Sequence, residues 1–204
     1  MRKLLLAVAF ATLAATTVAA AGLRPPPPNG PLGPEGVPVP KAPVFAGVKT
    51  VQPGETVDGV TCQPSEKIAF HLHAHLTLFV SGRASQVPYG IGISAPQAQQ
   101  TAHGPYVGAG ACFSWLHTHA ADGIIHIESP VQRAFTLGNL FDVWGQPLST
   151  SQVGPATGTV TTLVGNRVWL GDPRDVPLTA HSQIQLEVGR PLVAPVRITK
   201  WYGN

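Results

Sequence analysis

The sequence predicts an α+β fold, mostly β: a mixed sheet with one short packed helix, plus an N-terminal β-hairpin. Three observations predict it. Ile68 to Val80 alternates with period 2, the repeat of a strand with one buried face. Short aliphatic and β-branched runs recur along the chain, separated by Gly, Asn, Asp and Pro. At one place the period changes to that of a helix, at Leu137, Leu140, Phe141 and Trp144.

The chain opens with Met1-Arg2-Lys3 and an apolar, Ala-rich run from Leu4 to Ala21. A basic start, an apolar stretch and small residues at its end are the three parts of a secretory signal. Residues 1–21 are therefore expected to be a signal peptide cleaved after Ala20 or Ala21, and the protein to be exported, periplasmic or extracellular. The run is also just long enough for an uncleaved anchor. Its Ala and Thr content, in place of Leu or Ile, favours cleavage. In an oxidising compartment Cys62 and Cys112 are expected to form a disulfide.

Residues 22–43 carry Pro25 to Pro28, then Pro31, Pro34, Pro38, Pro40 and Pro43. Proline fixes φ and donates no backbone hydrogen bond. The segment is expected to be a linker: either a semi-rigid tether to a membrane or cell wall, or a disordered leader. Residues 44–204 remain for a single β-rich domain.

In that domain Leu72, Ala74, Leu76, Leu78 and Val80 share one face of the first strand; His71, His73, His75, Thr77 and Phe79 share the other. Ser81-Gly82 is a two-residue turn into Arg83 to Val87. Ser94 to Gly110 reads as a surface loop, and Phe113 to His119 as a strand. Asp122-Gly123 then predicts a tight hairpin into a strand from Ile124 to Ser129, with Val131 to Phe135 returning beside it. Thr136 is the expected N-cap of the helix and Gly145 its terminator. Strands follow at Thr159 to Val164, Arg167 to Leu170 and Gln183 to Val188, and Leu192 to Tyr202 is a possible further one.

Charge excludes one class of partner. The formal net charge is +3, and without Arg2 and Lys3 it is +1, eleven basic against ten acidic side chains. No basic stripe exists to attract nucleic acid. Histidine is the unusual residue: seven of the eight lie between His71 and His126. His71, His73 and His75 project from one face of a strand, and His117 and His119 from one face of another.

A two-residue turn at Asp122-Gly123 would set His119 opposite His126 and His117 opposite Glu128. Three imidazoles and a carboxylate on one face suit a transition-metal ion. The candidate metal ligands are His73, His75, His117, His119 and His126, with His71 and Glu128 as further candidates; a second HxH strand beside the square would complete it. Alternatively, Glu128 pairs with Arg133 and the histidines form a solvated face. His103 and His181 read as bystanders in a loop and a turn. With both cysteines bridged and Met1 the only methionine, no soft ligand is left for Cu(I), so Zn²⁺ or Cu²⁺ is expected, with iron as a further candidate.

The order of elements from Gly123, with "FTLGNLFDVWG" as helix and "LTAHSQIQLEVG" as closing strand, resembles a β-grasp (ubiquitin-like) fold over residues 123–189. The chain does not end in the reactive Gly-Gly of the sulfur-carrier members of that fold, so the resemblance carries no activity. The stretch "HLHAHLTLFV … VPYGIGI … WLHTHAADGIIHIESP … FTLGNLFDVWGQPL" also resembles an uncharacterised family of secreted bacterial proteins. That resemblance implies the domain's extent and nothing about mechanism.

GxSxG, HExxH, a phosphate-binding Gly loop and an EF-hand are all missing. Three functions remain: a metal-binding protein for sequestration, delivery or sensing; a metalloenzyme with an open coordination position and Glu128 or Asp122 as base; and a structural or interaction module with a buried histidine network.

Overall fold

The alternating segment forms the long strand at the centre of the fold. The structure, a computed structural model, describes residues 22–27 and 29–201, so the expected signal peptide lies outside the described residues. The strands of the main sheet, in chain order, are β1 (Phe70–Val80), β2 (Arg83–Ser85), β3 (Leu116–His117), β4 (Ile124–Ser129), β5 (Val160–Val164), β6 (Arg167–Trp169) and β7 (Gln183–Val188). Their order is β6-β5-β7-β1-β4-β3, with β2 paired to the far end of β1. β7 runs parallel to β1, and the other pairs are antiparallel.

Local chemistry explains the elements that match expectation. Val80 pairs with Arg83 across Ser81-Gly82. Both turn residues take positive φ, 49° and 72°, as a type I′ turn requires. The helix α1 (Leu137–Trp144) is the one α-helix among the described residues. Thr136 caps it by accepting from the Asn139 N–H, while the Asn139 side chain accepts from the Thr136 N–H. Gly145 ends it at φ 74°, a left-handed position that favours glycine. No helix among the described residues is long and apolar enough to cross a membrane.

The apolar face of the sheet meets α1. Ala74, Leu76 and Leu78 of β1 and Ile125 and Ile127 of β4 pack with Leu137, Leu140, Phe141 and Trp144. Leu72, at the strand's outer end, packs on the same cluster while half-buried. A smaller sheet holds the Cys62–Cys112 disulfide, with the Cα atoms 5.5 Å apart, and pairs Val60–Gln63 with Cys112–Ser114.

The other face of the main sheet is polar yet covered. His73, His75, His126, Glu128, Gln185 and Glu187 are all buried there. The Pro-rich segment covers part of it, and here the structure departs from the expected spacer. Glu35 and Val37 are 2% and 1% exposed, and Val37 packs with Ile124 and Ile198. Prolines that cannot join a ladder still allow a folded-back turn, held by Gly33 N–H to Val37 O at 2.8 Å and Val39 N–H to Pro31 O at 2.8 Å.

The C-terminal tail covers the rest, and forms no strand through residue 201. Its backbone is bound by side chains instead: Val193 N–H donates to Glu187, Val196 N–H to Gln185 and Ile198 N–H to Gln183.

Four further expectations are corrected. Val131 to Phe135 forms no strand, because β1 and β3 already occupy both edges of β4. The expected loop from Ser94 to Gly110 contains a ribbon, Gln97–Thr101 paired with Gly104–Ala109. Phe113 to His119 is broken at Trp115, with Cys112–Ser114 in the small sheet and β3 in the main one. Asp122-Gly123 is not a two-residue hairpin, since the register sets His126 against His117. The chain swings out at His119, whose carbonyl accepts from the Val107 N–H of the ribbon. It returns at Gly123, where the backbone runs so close to β1 that a Cβ would lie 2.3 Å from the Leu76 carbonyl oxygen.

Candidate metal centre

Three segments bring the histidines together. β4 lies between β1 and β3, so His126 pairs with His73 on one side and His117 on the other, and Glu128 pairs with His71. His119 leaves β3 but folds its ring back, 4.4 Å from the ring of His126. The expected cluster therefore forms through a different register from the one the turn predicts. The second HxH strand does lie beside it.

The ring protons can be assigned from the partners. His117 donates Nδ1–H to the Ser114 carbonyl at 2.8 Å, and His119 donates Nδ1–H to the Val107 carbonyl. A carbonyl only accepts, so each Nδ1 carries the proton and each neutral ring presents a lone pair at Nε2. Those two Nε2 atoms are 3.1 Å apart. Burial, then the neighbouring histidine charges, hold His117 well below the usual histidine value; burial, then the charge of His126, lowers His119. Both rings are thus neutral near pH 7, and two unprotonated Nε2 atoms converge at an angle. Imidazole with one nitrogen tied to a carbonyl and the other aimed at a shared point is how metal-ligating histidines are oriented.

The second set lies on the β1–β4 pair. His73 Nε2 is 3.0 Å from His71 Nε2 and 3.1 Å from His126 Nδ1. Glu128 Oε1 is 3.2 Å from His71 Nε2 and 3.3 Å from His126 Nδ1. Ligands bound at about 2.0–2.1 Å around one ion stand roughly 3–3.4 Å from one another. Ligand-type atoms of His71, His73 and His126, and of His117, His119 and His126, come close enough to hold a metal ion.

Without a metal, His126 is protonated at neutral pH. Burial opposes its charge, but the carboxylates of Glu128 and Glu35 outweigh burial and raise it to about 9. Glu35 Oε1 lies 2.7 Å from its Nε2. Burial lowers His73 to about 4, with the charges of His126 and His71 adding to it. Four buried polar side-chain atoms lack a hydrogen-bond partner among the described residues, and all lie in or beside this cluster: Glu35 Oε2, His73 Nδ1, Asp122 Oδ2 and Glu128 Oε2. Protonated at neutral pH, Asp122 gains one by hydrogen-bonding Glu35, while His73 Nδ1 and Glu128 Oε2 call for an ion or water.

His75 stands apart. It donates Nε2–H to the Asp122 carbonyl at 2.8 Å, which leaves Nδ1 to accept from the Thr77 hydroxyl at 3.4 Å. Both nitrogens are engaged within the fold. Arg133 is directed to the Gly59 carbonyl, so the alternative pairing with Glu128 does not form. His103 is exposed, and His181 stacks its ring on Trp201 while its backbone N–H donates to the His73 carbonyl at 2.7 Å.

Sequence reasoning missed two carboxylates. Glu66 Oε1 is 3.4 Å from His119 Nε2 and 3.9 Å from His117 Nε2. Glu66 sits in a loop with no periodicity to flag it. Glu35 did leave a trace, as the one acidic residue of the Pro-rich segment. The chain matches no protein-family model, no curated protein and no solved structure.

Proposed function

We propose that this is an exported histidine-cluster protein that takes up a transition-metal ion, Zn²⁺ or Cu²⁺, for sequestration, delivery or sensing. The observation that carries the reading is the pair of Nε2 lone pairs of His117 and His119, 3.1 Å apart with both Nδ1 protons committed elsewhere. A cation between them turns a repulsion into two bonds. The available donors are imidazole nitrogen and carboxylate oxygen, because both cysteines are bridged. That set suits Zn²⁺ and Cu²⁺ over Cu(I).

The ligands in this reading are His71, His73, His117, His119, His126, Glu66 and Glu128, with His75 holding the Asp122 loop in place. The outer two, His71 and Glu66, have side chains 40% and 37% exposed, while His117 is 0% exposed. An ion would enter past these two and end up enclosed, which supports holding over turnover. Metal content of natively purified protein, measured with and without prior Zn²⁺ titration, tests the reading. At least one tightly held ion per chain is expected, and a folded protein that takes up none contradicts it.

The β1, β4, α1, β5, β6, β7 succession also supports a β-grasp reading, with Phe70–Val80 as first strand in place of a segment after Gly123.

A metalloenzyme is the second reading, favoured by one observation. A cavity of about 410 Å³ lies on the His75 and Asp122 side, lined also by Gly123, Phe79, Val87 and Ile198 and by none of the seven ligands. Burial, then the charge of Glu35, raises Asp122 to about 8, a value suited to proton transfer near neutrality. Azide binding to the Cu²⁺-loaded protein would reveal an open coordination position and favour this reading.

A further inference from the structure

We propose that the cluster is built for two metal ions, not one; this rests on the metal-binding reading above. Seven ligand atoms converge, and a tetrahedral ion takes four. Their shortest contacts define two sets, with His126 of the first also within 4.8 Å of His117 and His119. The first is His71 Nε2, His73 Nε2, His126 Nδ1 and Glu128 Oε1, linked by spacings of 3.0, 3.1, 3.2 and 3.3 Å. The second is His117 Nε2, His119 Nε2 and Glu66 Oε1, with spacings of 3.1, 3.4 and 3.9 Å.

The sets also differ in origin. The first is carried by the paired strands β1 and β4, the second by β3, the segment after it and the Glu66 loop. Each can be complete without the other: three imidazoles and a carboxylate in one, two imidazoles and a carboxylate in the other.

Glu128 joins them. Its Oε1 faces His71 and His126, and a carboxylate oxygen of the same residue falls within 4.8 Å of ligand atoms of Glu66 and His117. Its Oε2 is buried and has no hydrogen-bond partner among the described residues. A carboxylate within reach of both sets, with a second oxygen left unpaired, can bridge them. Two divalent ions would bring four positive charges, of which Glu35, Glu66 and Glu128 offset three.

The test is the number of Zn²⁺ ions bound by the full folded chain, counted by native mass spectrometry and by calorimetric titration. Two per parent chain are expected. Glu66→Gln combined with His119→Gln should leave one, held by the first set. His71→Gln combined with His73→Gln should leave one, held by the second. Glu66→Gln and His71→Gln alone alter half-exposed positions and check the same assignment if the double variants misfold. Loaded with Cu²⁺, the parent should give a spin-coupled spectrum and each double variant that of an isolated ion. One ion in the parent, lost from both double variants, means a single shared site and overturns the two-ion inference while leaving the binding reading intact. No ion in the folded parent overturns both.

Discussion

The Nε2 atoms of His117 and His119 converge to 3.1 Å, each on a ring whose Nδ1–H is given to a backbone carbonyl. Both carbonyls belong to strands outside the main sheet, Ser114 in the small sheet and Val107 in the ribbon. The disulfide at Cys112 anchors the strand that supplies Ser114. The rings are therefore oriented by the fold before any ion arrives, which is the preorganisation a metal site needs.

Metal uptake should release a proton. His126 is raised to about 9 by Glu128 and Glu35 against the effect of burial, so it is protonated at pH 7 in the metal-free protein. An ion at its Nδ1 must displace that proton. Calorimetric titration at pH 7 in two buffers of different ionisation enthalpy should show release of about one proton per chain from this ring. Affinity should rise with pH toward 9. Identical heats in both buffers would contradict the assignment of His126 as a ligand.

The metal-free protein should weaken in acid. Burial holds His73 and His75 at about 4, below their ordinary 6.5, and lowers His117 and His119 in the same direction. The unfolded chain takes up these protons as the pH falls through 6.5, before the folded chain does. Stability is thus full above pH 6.5 and is lost as the pH falls toward 4. Asp122 and His126, raised to about 8 and about 9, act in the opposite sense, as do Glu66 and Glu187, which burial also raises. The carboxyl groups oppose the four lowered rings below pH 6.5, and His126 acts only above it. Urea midpoints measured from pH 7 to pH 4 should fall across that window, and a flat profile would mean the rings are not buried as neutral groups.

The helix face is testable by truncation. Leu140 is 0% exposed and packs in the main core. Leu140→Ala should cost about 2–5 kcal/mol. Chemical denaturation of the variant checks this, and a loss under about 0.5 kcal/mol would be the behaviour of a surface site.

Much of the fold was legible because local rules governed it. Alternation gave β1 its two faces, Ser81-Gly82 its turn, and Thr136 and Gly145 the ends of α1. The errors arose where distant contacts override local preference. Asp-Gly favours a tight turn, but Gly123 is used for close approach to Leu76, and Ile124 pairs with His75. No local pattern reveals that Pro31 to Val39 folds back, since its partners, Ile124 and Ile198, are about 90 and 160 residues away in the chain. The site was half legible for the same reason. Spacing along a strand identified the histidines, while Glu66 and Glu35 reach them from loops that carry no period.

The central claim is that His126 binds metal together with the other clustered histidines, and chelator competition tests it most directly. Zn²⁺ affinity would be measured for the parent, His126→Ala and His103→Ala against a chelator of known affinity. His103 is exposed in the ribbon turn and lies outside the cluster. The account predicts that His126→Ala loses at least about tenfold in affinity, a ligand's worth by the scale of metal-site substitutions, while His103→Ala matches the parent. Equal affinity in the parent and His126→Ala would remove this ring from the site and contradict the account.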